Sequence, residues 1–580
     1  MTIGVQATPL ELGDGAGRGF SVQTITRRIL ILLVFLLVCG PLSVLLLTSL
    51  SPPGTLTYQG LSFSTANYES IFSQVGTARL LFNTFVYAAC SVIVGVALAG
   101  VLAWLTERTD LPGRTIIRIL MFSWMAIPPL VFGYGWILLI NPGNGVINVA
   151  LRSLFGAGVP TITPYSFIAM ILISGLSLVP TGFVMISGLL RNMDPVLEDA
   201  AKVLGAGRRS IARRVTLPLL SPGLFSIGIF LTMAMVQTFD LPLILGMTAQ
   251  IPVLSTRIFL LASPDSGVPN YGLASAFGIF LLCFAVLLMM SYFRATRASE
   301  RFRTVSGKGF RPKKAKLGAQ KIPAVIAVSV YFAIMLMPLL IVLWTSLFPF
   351  YRVPTLSDLG QASLDAYRNV LSDSMVIRAI SNTVVVVLVS ATLVVTLSCL
   401  ISWFSVRSKG VGGRLLDIMA FSPMAVPAIV MAIAFLLVFL GTPLYGTIWV
   451  LVIGYMTIYL AFGTRTLNGA LIQIHRELED AATVHGASWG AGLRLIVFPI
   501  IWPHLLNTWL WVVAHSARDL TFPLILLTST NVVVSSSIYL IWEQPNQPQA
   551  ASLSMMMVGA LLALVIPIQI YITRKLDRFG

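Results

Sequence analysis

Long apolar runs separated by short polar loops dominate the chain from about residue 29 to residue 573. A helix needs about 20 apolar residues to cross the roughly 30 Å hydrocarbon core of a bilayer. The pattern predicts an all-α integral membrane protein with twelve transmembrane helices. Their predicted bounds are residues 29–50, 81–105, 117–140, 166–190, 223–246, 272–293, 323–347, 379–404, 417–440, 446–469, 503–527 and 553–573.

Composition supports the membrane class. Of the 580 residues, 57% are hydrophobic and only 10% are charged, whereas soluble domains carry about 25% charged residues. The formal net charge of +17 would suggest nucleic-acid binding only if the basic residues formed a patch on a soluble face. Here they lie in short loops between apolar runs, so we expect a lipid bilayer around the chain and no nucleic-acid partner.

The basic residues also predict an orientation. If the N-terminus is inside, 31 of the 38 Lys and Arg residues fall in inner segments, as the positive-inside rule requires. Both termini are therefore predicted to be cytoplasmic, in a multi-pass protein of the bacterial inner (plasma) membrane. The predicted domains are an N-terminal tail (1–28), a first six-helix domain (29–293), a basic cytoplasmic linker (294–322), a second six-helix domain (323–573) and a C-terminal tail (574–580).

The two halves resemble each other in sequence. Short motifs of the first half recur in the same order in the second, about 299 residues later up to the third span and 281 residues later from the fourth span onward. The shorter offset predicts a longer outer loop in the first half, around 141–165. The matching pairs are Pro41 and Pro338, Tyr68 and Tyr367, Asn83–Thr84 and Asn382–Thr383, Met125–Pro128 and Met424–Pro427, and Pro242–Leu245 and Pro523–Leu526.

The repeats share the same charge asymmetry, so they are parallel rather than inverted. Parallel halves imply a pseudo-twofold axis along the membrane normal, with a central pathway where they meet.

One inner loop occurs in both halves. The first copy has Glu198, Asp199, Ala200, Ala201, then Gly205 and, after a further segment, Pro218. The second has Glu479, Asp480, Ala481, Ala482, Gly486 and Pro499 at the same spacing. An acidic residue favours a helix start, glycine permits a positive φ that ends the helix, and proline begins the next span. The pattern predicts a helix–turn–helix plate on the inner face, whereas the alternative is an ordinary amphipathic interfacial loop.

These twelve residues resemble the cytoplasmic EAA signature of the permeases of ABC importers, with Asp199 and Asp480 in the Glu position. The resemblance implies the type I importer fold and assigns all twelve residues to coupling with two copies of an ABC ATPase subunit. It also implies an extracytoplasmic substrate-binding protein. The fused two-half form is similar to ferric-iron permeases, while thiamine, phosphonate and polyamine permeases share the architecture.

The chain shows no residues for chemistry of its own. It contains no glycine-rich phosphate-binding loop, no nucleophile set and no histidines at metal-ligand spacing, so we expect no catalytic residue, no metal site and no cofactor in this chain. ATP and magnesium would be bound by the partner ATPase. The hypotheses from other classes are a secondary ion-coupled transporter and a channel.

Three charged residues lie within the fifth and eleventh predicted spans: Asp240, Arg518 and Asp519. Charges at such depth are costly and tend to face a protein interior or a water-filled path. We therefore expect them to line the pathway, with Arg518 reaching Asp240 across the pseudo-twofold axis as an outer gate. The alternative is that they extend to the interface or pair within their own halves.

Overall fold

The chain is almost entirely helical in a computed structural model that describes residues 22–55, 62–191, 193, 196–264, 267–300, 315–407, 410–475, 477–478 and 489–579. A bilayer supplies no hydrogen-bond partners, so spanning backbone must satisfy its own polar groups, as helices do. Ten described helices are long and apolar enough to cross a membrane, or up to twelve if each of two bent pairs is one span. The predicted all-α membrane fold is confirmed.

The first half contains helices α1 to α12. Their bounds are α1 Val22–Ser49, α2 Ala66–Ser73, α3 Thr77–Arg108, α4 Arg114–Trp124, α5 Pro129–Leu139, α6 Val146–Phe155, α7 Phe167–Arg191, α8 Val196–Val203, α9 Arg208–Ile211, α10 Leu217–Gln237, α11 Leu254–Ala262 and α12 Tyr271–Glu300. Helix α6 fills the longer loop predicted around 141–165.

The second half repeats this order without a counterpart of α6. Its described helices are α13 Lys321–Ser346, α14 Asp365–Ser372, α15 Ser374–Arg407, α16 Val411–Phe421, α17 Ala428–Phe439, α18 Ile448–Ile472, α19 Trp489–Gly492, α20 Phe498–Arg518, α21 Thr521–Ile525, α22 Val534–Glu543 and α23 Gln547–Phe579.

Two predicted spans are not single helices. The segment 117–140 consists of α4 and α5 with a bend of 99° between them, and 417–440 consists of α16 and α17 with a bend of 105°. Each bend lies at the repeated Met-Ala-x-Pro motif. Residues before proline are driven out of the helical conformation, and Ile127 and Pro128 accordingly separate the two helices of the first pair.

The fifth and eleventh spans also end earlier than predicted. Helix α10 stops at Gln237 and α20 stops at Arg518, where Thr238 and Asp519 take extended conformations. These two stops are 281 residues apart, so the break is part of the repeat. Asp240 and Asp519 therefore lie just beyond helix ends rather than inside straight helices, which corrects the predicted bounds 223–246 and 503–527.

The most extensive helix contact of the first half joins α3 to α7. A Cβ atom on Gly95 would lie 2.9 Å from Leu178 Cβ and 3.0 Å from the Gly175 carbonyl oxygen. In the second half, α15 packs in the same way on α18, where Gly463 faces Ser398. Small residues let membrane helices approach backbone to backbone, which replaces the hydrophobic driving force that lipid removes.

The first helix of each half packs against the other half. Helix α1 contacts α16 and α17 of the second half, and α13 contacts α5 of the first half. Gly135 in α5 makes this approach possible, because a Cβ there would lie 2.3 Å from the Pro338 carbonyl oxygen in α13. The two halves are thus held together because the first helix of each one packs against the other.

Motifs found as repeats in the sequence make equivalent hydrogen bonds. The Ser49 hydroxyl lies 2.8 Å from that of Tyr68, and Ser346 lies 2.8 Å from Tyr367. The Thr84 hydroxyl accepts a hydrogen bond from the amide of Leu254, the first residue of α11, at 2.9 Å. The Thr383 hydroxyl accepts one from the amide of Val534, the first residue of α22, at 2.8 Å. These motifs hold two short buried helices, α11 and α22, that the sequence pattern did not reveal.

The α3–α7 contact generates a stability prediction. We expect Gly95→Val to lower the midpoint of thermal unfolding in detergent, because overpacking a tight contact costs about 1–3 kcal/mol. Gly100→Val, on the same helix with no atom within 4 Å of a Cβ, is the matched control. Equal melting of both variants would contradict the role assigned to this contact.

Candidate functional site

The first EAA-like loop forms the predicted helix–turn–helix plate. Helix α8 ends in a turn in which the Gly205 amide donates to the Lys202 carbonyl at 2.9 Å and the Ala206 amide donates to the Ala201 carbonyl at 3.0 Å. Gly205 has a φ of +81°, so the positive φ predicted there is confirmed. Helix α9 and a π-helical turn at Ala212–Thr216 then lead into α10, with Pro218 in its first turn.

Glu198 attaches this plate to two membrane helices. Its Oε1 accepts a hydrogen bond from the Thr216 hydroxyl at 2.7 Å, directly before α10. Its Oε2 lies 3.5 Å from Nη1 of Arg108, the last residue of α3, whose side chain is only 6% exposed. Glu198 thus links α8 to both α3 and the start of α10.

The exposed surface of the plate carries apolar side chains that the sequence did not point to. Val203 is 88% exposed and Leu204 is 86% exposed. Beside them, the exposed Asp199 and Lys202 form an ion pair of 2.7 Å. Adjacent exposed apolar side chains rimmed by charges are typical of an interaction surface.

The second loop is described only in part. Glu479, Asp480, Ala481, Ala482 and Gly486 lie outside the described residues. Pro499 stands in the first turn of α20, preceded by α19 and a π-helical turn at Leu493–Val497. The described elements therefore follow the same order as α9, the π turn and α10 in the first half.

Ion pairs on the side of the molecule that carries these loops tie neighbouring helices together. Glu107 in α3 accepts two hydrogen bonds from Arg118 in α4, at 3.0 and 2.6 Å, and one from Arg191 in α7 at 2.8 Å. In the second half, Asp417 in α16 lies 3.5 Å from Arg465 and accepts from Asn468 at 3.0 Å. No sequence motif marked these residues, because partners on three helices show no fixed spacing.

The interior charges lie where the two halves meet. The Arg518 guanidinium donates to the backbone carbonyl of Met125, at the α4–α5 bend of the other half. Met125 directly follows α4, where carbonyls lack partners within the helix. Asp519 accepts from the Tyr455 hydroxyl at 3.2 Å and the Phe522 amide at 3.1 Å, so it stays within its own half.

Arg518 crosses between the halves as expected, but its partner is not Asp240. No ion pair within the described ranges joins Arg518 to either aspartate. Asp240 lies instead in electrostatic range of Asp519, Arg518 and four tyrosines, of which three are buried and Tyr459 is partly buried. These are Tyr87, Tyr134, Tyr455 and Tyr459.

The acidic and histidine side chains of the described residues do not form a metal site. Across the part of the chain described, no group of three or more His, Cys, Asp or Glu side chains is arranged to hold a metal ion.

Family comparison identifies the architecture. The family model described as the binding-protein-dependent transport system inner membrane component matches residues 91–301 and 395–575, once in each half. The chain belongs to this family. It is a multi-pass inner-membrane permease of an ABC importer, in the fused two-half form.

The permease has similar relatives among characterised proteins. It is 23% identical over 553 residues to the ferric transport system permease protein FbpB of Actinobacillus pleuropneumoniae, covering 93% of this chain and 76% of that protein. It is 23% identical over 481 residues to the Fe(3+)-transport system permease protein FbpB 2 of Haemophilus influenzae, covering 82% and 86%.

Other matches cover a smaller share of this chain. The maltose/maltodextrin transport system permease protein MalF of Salmonella typhimurium is 28% identical over 265 residues, 43% of this chain and 51% of that protein. A solved bacterial alginate ABC transporter aligns with a TM-score of 0.35 at 19% identity, over 50% of this chain and 92% of that one. The description of the family itself names no substrate.

The contact between Arg518 and Met125 generates the second prediction. A hydrogen bond from a charged donor is worth about 1.5–3 kcal/mol. Arg518→Ala should therefore loosen the α4–α5 bend and raise the maleimide labelling rate of a cysteine at Ala126, now 4% exposed, by about tenfold in a background without native cysteines.

Arg378→Ala is the control, since Arg378 donates only to Ser529 in its own half. Because the acceptor of Arg518 is a main-chain carbonyl, the exchange Asp240→Arg with Arg518→Asp should not restore slow labelling. Full restoration would show that an Arg518–Asp240 pair holds the bend instead.

Proposed function

We propose that this permease imports ferric iron across the bacterial inner membrane by alternating access. In this proposal, two copies of an ABC ATPase subunit bind ATP and magnesium and dock on the two EAA-like loops. An extracytoplasmic binding protein delivers the substrate to the opposite side, and both termini lie in the cytoplasm. The permease itself contributes the pathway and the coupling surfaces, with no ATPase site and no cofactor of its own.

The geometry of the first loop is the observation that carries the coupling proposal. Its exposed apolar pair, Val203 and Leu204, offers a partner a surface to bind, while Glu198 holds the same plate to Arg108 and Thr216. A partner that binds the plate therefore acts on α3 and α10 at once. An amphipathic loop resting on lipid would need no such rigid connection to two spans.

This proposal predicts loss of ATPase docking when the plate is made polar. We expect Leu204→Asp to reduce ATPase co-purification at least tenfold, because a charge in an apolar contact must be desolvated. Leu154→Asp, at a 75% exposed leucine of α6, is the matched control and should co-purify normally. Docking at Leu204 would also place this loop in the cytoplasm, since ATP is there.

Two outcomes would contradict the coupling proposal. One is unchanged co-purification of the ATPase with the Leu204→Asp permease. The other is uptake that needs no ATPase and collapses with an ion gradient, which would identify a secondary transporter.

The interior cluster supports a cationic substrate. Asp240 and Asp519 bring two carboxylates, and the surrounding tyrosines bring hydroxyls, to the place where the two halves meet. Oxygen donors suit small, highly charged cations, whereas soft metal ions favour thiolates. Together with the similarity to two ferric transport permeases, this chemistry favours ferric iron over a phosphonate, which is an anion.

The substrate proposal predicts that Asp240→Asn reduces uptake of radioactive ferric iron by proteoliposomes about tenfold. The Asp240 side chain makes no hydrogen bond or ion pair among the described residues, so the isosteric amide should leave the fold intact while removing the carboxyl group offered to the cation. Asp365→Asn, at an exposed site on α14, is the control. Unchanged iron uptake, or uptake of thiamine or a polyamine in its place, would contradict the proposal.

A further inference from the structure

The end of the linker between the two halves is docked on the first half. The Ala315 amide donates to the Arg108 carbonyl at 2.9 Å, and the Asp110 amide donates to the Ala315 carbonyl at 3.2 Å. These bonds form the parallel bridge between Thr109 and Ala315. The linker therefore joins the corner between α3 and α4 before α13 begins at Lys321.

Asp110 closes this contact with its side chain. Its Oδ1 accepts the Leu317 amide at 2.8 Å, and the Leu317 side chain is buried, with 9% exposure. The Leu317 amide lowers the pKa of the Asp110 carboxyl, and the charges of Lys321 and Lys316 lower it further. A lowered carboxyl pKa keeps Asp110 ionised at neutral pH, so the oxygen that accepts the Leu317 amide there belongs to a carboxylate.

The second half lacks an equivalent carboxylate. Thr109 and Asp110 correspond, at the repeat offset of 299, to Ser408 and Lys409. The one covalent connection between the halves arrives at the corner of the first half, where Asp110 receives it. The carboxylate therefore occurs at this position in the half that receives the linker and not in the other half.

Arg108 joins this docked segment to the EAA-like loop. Its backbone carbonyl holds Ala315, and its guanidinium is the group that reaches Glu198 in α8. Nε and Nη2 of Arg108 are buried without an acceptor within the described ranges, so the ion pair with Glu198 is the one polar contact of this side chain there. The placement of Arg108 therefore sets the attachment of the plate to α3.

We propose that Asp110 is a positioning residue for coupling: it clamps Ala315–Leu317 to the α3–α4 corner and so holds Arg108 in place for Glu198. The inference rests on the coupling role proposed for the loop. It also gives the linker a function beyond tethering. Helix α13 starts beside the clamp and packs on α5, so the clamp connects the first coupling loop to the first helix of the second half.

The test measures substrate transported per ATP hydrolysed by the complete complex in proteoliposomes. We expect Asp110→Ala to lower this ratio severalfold, and Asp110→Asn, which keeps the acceptor oxygen, to restore most of it. In a Glu198→Gln background, Asp110→Ala should add little, because both changes act through Arg108. Asp365→Ala, at an exposed aspartate on the opposite side, should leave the ratio unchanged.

A protease site inserted between Gly307 and Lys308 separates clamping from tethering. Cleavage of the otherwise native permease should leave the ratio near its uncut value, because the clamp still holds the linker end. Cleavage of the Asp110→Ala permease should abolish coupled transport. If the role of Asp110 were purely structural, Asp110→Ala would lower the unfolding temperature. The folded protein would still transport the native amount of substrate per ATP hydrolysed.

Three results would overturn the inference: an unchanged ratio in Asp110→Ala, full additivity with Glu198→Gln, or loss of coupling on cleavage of the native permease alone. The outcome is separable from that of the proposed function. If the ATPase still docks at Leu204 while Asp110→Ala has no effect, only the role of the clamp fails. If the ATPase does not dock there, the coupling proposal itself fails.

Discussion

The close packing of α3 on α7 through Gly95 and Gly175, and of α15 on α18 through Gly463, is the contact on which each half depends. Lipid is as apolar as a leucine side chain, so helices in a bilayer associate through close backbone approach and hydrogen bonds rather than burial from water. Because α3 is fixed in this way, its last turn provides a stable base. Glu107 there binds α4 and α7, and Arg108 binds the coupling plate.

The two halves share the hydrogen bonds and bends that place their helices, but they differ in their ion pairs. The hydrogen bonds that place α11 and α22 are equivalent, as are the bends at Met125–Pro128 and Met424–Pro427. The ion pairs near the EAA-like loops are not equivalent: Glu107 lies on α3, whereas Asp417 lies on α16. Each half thus ties its helices together by different charges.

The interior charges show how a membrane protein accommodates groups that lipid excludes. Asp519 is satisfied by Tyr455 and by the Phe522 amide in the first turn of α21, and Arg518 by a carbonyl freed at a helix end. Breaks in helices supply main-chain partners that continuous helices cannot offer. The stops at Gln237 and Arg518 and the α4–α5 bend therefore belong to one arrangement, in which irregular backbone and charge stabilise each other.

The sequence by itself determined the membrane class, the parallel repeat and the plate with its positive φ at Gly205, because hydropathy, self-similarity and the glycine turn are encoded locally along the chain. It also located the interior charges and the longer loop that α6 fills. Only the tertiary structure decided that Arg518 binds the Met125 carbonyl, that α11 and α22 are buried helices, and that Asp110 receives the linker at Leu317. Those contacts join main-chain groups to residues far away in sequence, and a main-chain amide or carbonyl has no residue type by which a sequence pattern could reveal it.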